Sequence, residues 1–79
     1  MTTQNKYKFI KHTKSEDSTI HTLTLNRPKK LNAVSFEMLA EIEKCIKEDV
    51  NPLDSGARVL IFTGEGKHFS AGLDMMSAA

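Results

Sequence analysis

The chain contains a single cysteine, and that scarcity closes several routes at once. Cys45 alone cannot build an internal disulfide framework or a cysteine zinc cluster. Long apolar runs are missing too. The longest is Val59-Leu60-Ile61-Phe62, far short of the roughly 20 residues that a membrane-spanning helix needs. No excess of one charge exists either, since eleven basic and ten acidic side chains leave a net +1. That balance offers no broad electrostatic footprint for nucleic acid or an anionic membrane. The lysine-bearing start (Lys6, Lys8, Lys11, Lys14) has no arginine and no apolar stretch after it. It therefore fits neither a transit peptide nor a secretory signal, and reads as mature, non-secreted protein.

What is present is ordinary folded composition, 39% hydrophobic over 79 residues. A chain this short buries only about 60–65% of the surface its unfolded form exposes. Ordering it costs on the order of 100 kcal/mol of conformational entropy, so a thin core leaves little surplus. The end, Met75-Met76-Ser77-Ala78-Ala79, stops without a polar tail and reads as a cut. Seventy-nine residues therefore make one small domain at most, or a piece of a larger one.

Tyr7 to Lys11 has β-prone residues in partial alternation, Ser15 to Ser18 supplies turn chemistry, and Ile20 to Leu25 reads as a second strand. In that strand His21, Leu23 and Leu25 share one face. Pro28 breaks the pattern by removing a ladder donor. Ser35 to Val50 reads as one helix, with Leu39, Ile42 and Ile46 at helical spacing and Met38 and Cys45 beside them. Ser35 suits the N-cap, Glu43 and Lys47 form an i,i+4 pair, and Asn51-Pro52 ends the element. Arg58 to Thr63 follows as a strand whose continuous apolar centre predicts burial on both faces. A glycine-bearing loop from Gly64 to Gly72 comes next, and Leu73 to Ala79 opens a second helix.

Several chemistries fail on residue identity. Gly64-Glu65-Gly66-Lys67 follows a strand, but a P-loop needs glycine at Ile61 and a hydroxyl residue at His68. The dinucleotide fingerprint fails at Phe69. His68-Phe69-Ser70-Ala71-Gly72 resembles a nucleophile elbow with its first glycine replaced. Ser70 is better read as a loop serine, because a hydrolase also needs a downstream acid and histidine. His12, His21, His68 and Asp74 have no metal-ligand spacing, so no metal site is expected. Cys45 reads as a small core residue. Small residues after the strand let backbone approach a ligand closely, so Phe69 to Asp74 reads as an anion- or carbonyl-binding loop or a loop packed for structural reasons.

Two segments carry a specific resemblance. Leu23-Thr24-Leu25-Asn26-Arg27-Pro28-Lys29-Lys30-Leu31-Asn32-Ala33 resembles the opening signature of the enoyl-CoA hydratase/isomerase (crotonase) superfamily. Val59 through Asp74, ending Phe69-Ser70-Ala71-Gly72-Leu73-Asp74, resembles its second signature. They occur in the family's order with a suitable helix between them. The run from Phe69 to Met76 looks most like the dienoyl-CoA isomerase branch.

The resemblance implies an α/β fold, the first turns of the crotonase ββα spiral in incomplete form, with residues 1–79 as the amino-terminal fragment of a single crotonase-like domain. Leu73 matches the residue whose backbone N–H holds the thioester oxygen, one half of an oxyanion hole. Arg27, Pro28, Lys29 and Lys30 match the loop along coenzyme A, and Ala71, Gly72, Leu73, Asp74, Met75 and Met76 match the stretch along the pantetheine and acyl end. Asp74 matches a loop-shaping position and not the proton shuttle. Coenzyme A is implied as part of the thioester substrate, with no permanently bound cofactor. The implied partners are an acyl-CoA and, for the parent protein, the other subunits of a homotrimer or homohexamer, while the fragment is expected to self-associate. The implied compartment is cytoplasmic, mitochondrial or peroxisomal. The family's second oxyanion donor and its proton-moving carboxylates match no position here. The expected function is therefore that of a fragment of an enoyl- or dienoyl-CoA isomerase or hydratase (a lyase), inactive alone. The rival from another class is a noncatalytic acyl-CoA-binding or protein-interaction short form.

Overall fold

The structure is a computed structural model and describes residues 6–75. Strands β1 (Ile10–Lys14) and β2 (Ile20–Leu25) form an antiparallel hairpin. The chain then passes through a short 3-10 turn (Pro28–Lys30) into helix α1 (Phe36–Lys44), which continues as a π-helical segment (Cys45–Val50). Strand β3 (Val59–Gly64) returns parallel to β2, so the sheet order is β1-β2-β3. This is the α/β arrangement that the sequence implies.

The hairpin turn is organised by one carboxylate. Asp17 Oδ1 accepts from Ser15 Oγ (2.8 Å), Thr19 Oγ1 (2.7 Å) and the Thr19 backbone N–H (3.1 Å). Such Asx-type bonding replaces the ladder partners that a tight turn denies its backbone. β1 begins three residues later than expected. The Lys8 and Phe9 N–H groups donate to the Glu41 carboxylate at 2.8 and 2.7 Å, so the backbone there is tied to α1 and not to β2.

Ser35 caps α1 as expected, its hydroxyl accepting from the Met38 N–H at 3.1 Å. The expected stripe packs against the core through Met38, Ile42, Cys45 and Ile46, and only Leu39 departs from it. Met38 and Cys45 are fully buried, whereas Leu39 is 44% exposed. Successive helical residues lie about 100° apart, and it is the Met38–Cys45 row that faces Ile10, Leu23, Leu25 and Val50 in the core.

The larger correction concerns β3. Val59, Ile61 and Phe62 are 47%, 45% and 43% exposed, not buried on both faces. β3 is an edge strand, and α1 covers the hairpin side of the sheet. The second expected helix does not start at Leu73, which pairs with Val34 in a β-bridge; Met75 is helical, and residues 76–79 lie outside the described residues.

Candidate functional site

Two loops meet at the open end of the sheet, one after β2 and one after β3. Asn32 joins them. It is fully buried and takes a left-handed conformation at φ 54°, which asparagine tolerates better than most residues. Its Oδ1 accepts from the Arg27 N–H at 2.8 Å, and its Nδ2 donates to the carbonyls of Glu65 (2.9 Å) and His68 (2.8 Å). Its own carbonyl accepts from Ser70 Oγ at 2.8 Å. The Ser70 oxygen in turn accepts from the Gly72 N–H at 3.0 Å, so this serine braces the loop. Gly64 makes the close approach possible: a Cβ there would lie 2.4 Å from the His68 carbonyl oxygen and 2.5 Å from that of Phe69.

The far side of the second loop is tied to the first by a parallel bridge between Val34 and Leu73. The Val34 N–H donates to the Gly72 carbonyl, and its carbonyl accepts from the Asp74 N–H, both at 2.8 Å. In a parallel ladder the residue opposite such a doubly bonded partner turns its own N–H and C=O to the other side. Leu73 is that residue. It is 52% exposed, and among the described residues its N–H meets no acceptor. The bridge therefore presents one rigidly held backbone donor outward.

The basic residues divide into two kinds. The Arg27 guanidinium donates to the Ala33 carbonyl (2.7 Å) and pairs with Asp74 (3.2 Å), over the Phe9 ring. Its charge is engaged in holding both loops, and Asp74 shapes the loop through the same pair. Lys29 and Lys30, by contrast, are exposed on the 3-10 turn, together with Pro28. Pro28 adjoins the second loop, at 3.4 Å from where a Gly66 Cβ would be. Ala71, Gly72 and Met75 are exposed along that loop, while Met76 lies outside the described residues. The role of Asn32 was not evident from its place in the motif. The available signal was an asparagine closing a Pro-Lys-Lys-Leu turn, where a left-handed backbone needs a residue that tolerates it.

A crotonase-like α/β segment with two stapled loops is what this geometry defines, and the comparisons give it a family. Residues 20–79 match the profile of the enoyl-CoA hydratase/isomerase family, to which the chain belongs. It is 37% identical over 65 residues to the probable peroxisomal enoyl-CoA hydratase 1 of Arabidopsis thaliana, covering 82% of this chain and 24% of that protein. It is 40% identical over 65 residues to the peroxisomal Delta(3,5)-Delta(2,4)-dienoyl-CoA isomerase of the same plant, covering 81% of this chain and 22% of that protein. Among solved structures, an enoyl-CoA hydratase/isomerase from Mycobacterium paratuberculosis superposes with a TM-score of 0.76 at 34% identity, over 90% of this chain and 26% of that one. The chain thus spans about a quarter of the length of the proteins it matches.

Proposed function

We propose that these residues form the amino-terminal part of an acyl-CoA isomerase or hydratase of the fatty-acid β-oxidation type, which stabilises a thioester enolate in an oxyanion hole. The observation that carries the reading is the Leu73 N–H, outward-facing and without an acceptor among the described residues. A preorganised backbone donor aimed at a developing oxyanion is commonly the largest single contribution in acyl chemistry. In this reading the donor polarises the thioester carbonyl, and negative charge collects on its oxygen as a proton leaves the adjacent carbon. Lys29 and Lys30 run beside the coenzyme A phosphates, and residues 71–75 line the pantetheine and acyl chain. Arg27 acts indirectly, by holding Asp74 and the first loop.

The second donor and the carboxylates that move protons come from residues beyond these 79, so the chain alone does not turn over. The uncovered apolar face of β3 supports the same reading, because an exposed apolar strand edge needs a neighbour. In the parent that neighbour is the rest of the domain, within a homotrimer or homohexamer; alone, the chain self-associates. Within the family, we assign it to the dienoyl-CoA isomerase branch, on the run from Phe69 to Met76.

The test is a pair of substitutions in the full-length protein carrying this segment. Leu73→Pro removes the N–H but none of the bridge's bonds, which belong to Gly72 and Asp74. It should lower kcat by roughly 10²–10³-fold. Leu73→Ala keeps the donor and should be far milder. Equal losses from both, with folding intact, would rule out the donor role.

A further inference from the structure

The end of the molecule away from these loops holds a second constellation, and it involves residues 33 and 37 positions apart in the chain. One ring nitrogen of His12, the Cys45 thiol sulfur and a carboxylate oxygen of Asp49 all lie within 4.8 Å of one another. Cys45 and Asp49 are four residues apart on the helix, so they project from one face, and β1 brings His12 opposite them. The sequence shows only the helical half of this arrangement.

His12 is oriented by a buried partner. His21, 1% exposed, points Nε2 at the Ser18 carbonyl (3.1 Å) and Nδ1 at His12 Nε2 (2.9 Å). A carbonyl only accepts, so His21 Nε2 carries the proton and its Nδ1 is the acceptor. His12 Nε2 therefore carries a proton as well, and the lone pair of the neutral ring is on Nδ1. Metal-ligating histidines characteristically donate their other ring N–H to such a second group. The carboxylate already attracts a cation: Lys6 Nζ lies 2.7 Å from Asp49 Oδ1, on an exposed side chain that can swing into solvent. The Tyr7 hydroxyl donates to Oδ2. A cavity of about 620 Å³, lined by Lys6, Tyr7, His12, Lys14, Glu48 and Asp49 among others, opens on the His12 and Asp49 side of the group, while Cys45 is fully buried and does not line it.

We propose that His12, Cys45 and Asp49 form a binding site for a divalent ion of the zinc class, with water as the fourth ligand. Nitrogen, sulfur and oxygen donors of this kind suit zinc and cobalt and disfavour magnesium or calcium. Tetrahedral bonds of 2.0–2.3 Å place ligand atoms about 3.5 Å apart, so the group contracts by about 1 Å on binding. The ion displaces the Lys6 ammonium, and the Cys45 thiol proton passes to buffer as the sulfur–metal bond forms.

Cobalt(II) titration of the purified chain tests this without reference to any acyl-CoA activity. The expected result is one equivalent bound, with a near-ultraviolet thiolate-to-cobalt charge-transfer band and tetrahedral visible bands, both lost on adding zinc. Cys45→Ser should abolish the thiolate band, and His12→Gln and Asp49→Asn should each weaken binding tenfold or more. His21→Gln should weaken it roughly 10–100-fold through the orientation of His12. Lys6→Ala should tighten it by removing the competing ammonium. Absence of the thiolate band at saturating cobalt overturns the proposal. So does binding that survives both His12→Gln and Asp49→Asn.

Discussion

The hairpin half of the molecule buries most of its apolar strand residues, and the β3 half, whose strand is the more apolar, leaves most of its own exposed. Leu23 and Leu25 on β2 are buried against Ile10, Met38, Cys45 and Val50. Val59 and Ile61, on the adjacent strand and in register with Ile20 and Thr22 on the opposite face of the sheet, remain nearly half exposed. The strand–helix packing on one side and its lack on the other account for this difference. An apolar run thus reports the surroundings a strand is suited to, and β3 is suited to a neighbour that α1 does not provide.

The strongest way to break this comparison is to truncate one side chain from each half. Leu23→Ala should cost about 2–5 kcal/mol, the range for a large-to-small change in a closed core. Ile61→Ala in the same chain should cost well under 1 kcal/mol, because much of the side chain is already in water. In the full-length protein the two should converge if the remainder of the domain covers β3. Denaturant melts of six proteins, the two parents and their four variants, decide it. An Ile61→Ala cost that stays small in the full-length protein would remove the argument that β3 is covered there.

A second test concerns the seam where the β3 half is locked to the β2 loop. Gly64→Ala would force a Cβ to within 2.4–2.8 Å of two backbone carbonyls and the Asn32 carboxamide nitrogen. All three are held by bonds that cannot relax independently, so overpacking should cost about 1–3 kcal/mol and displace the loop bearing Leu73. Gly56→Ala is the control. It meets nothing within 4 Å and suffers only from its φ of +80°, worth about 1–2 kcal/mol at most. A Gly64→Ala protein as stable as the parent would show that the loops are not stapled as described.

These contrasts also explain what could be read from the residues alone. The β2 alternation, the Ser35 cap and the order of elements follow from local pattern, and local pattern was enough to anticipate them. The two signature segments carried the family. The helix stripe follows from its spacing apart from Leu39, because Leu39 and Met38 are both apolar and only the docking of α1 chooses between them. The exposure of β3 does not follow from its apolar run, because a covering layer is a tertiary fact. Asn32 and the His12–Cys45–Asp49 group were illegible for the same reason: their partners are distant in sequence, and no spacing rule links a strand histidine to a helix thiol.

The two halves should also differ in their response to acid. The hairpin side carries His12, whose pKa burial and the facing His21 hold below the usual 6.5, with Lys14 and Lys6 adding to that and Asp49 opposing it. It also carries Asp49, which burial pushes upward but which the Lys6 and Tyr7 hydrogen bonds hold below the ordinary carboxylate value. Below about pH 6.5 the unfolded chain protonates its histidine before the folded one does, so stability falls with falling pH. Below about pH 4 the Asp49 contribution is lost in the same direction. Each group alone gives a slope of at most about 1.4 kcal/mol per pH. His12→Gln should flatten the limb just below pH 6.5 and leave the more acidic limb in place. An unchanged profile between pH 5 and 7 would mean that His12 titrates alike in both states.

The smallest effect expected lies in the closed half as well, and it separates packing from charge. Glu43 and Lys47 form the i,i+4 pair that their spacing implies, with 3.3 Å between Nζ and Oε1 and side chains about 70% exposed. Both ends are solvated, so most of the Coulomb attraction is screened and two long side chains lose freedom to meet. A double-mutant cycle with Glu43→Gln and Lys47→Met should return about 0.3–0.5 kcal/mol, shrinking further in high salt. That is roughly a tenth of what Leu23→Ala should cost a short distance away. A coupling above 1 kcal/mol, persisting in high salt, would mean that the pair is shielded from water far more than its exposure implies.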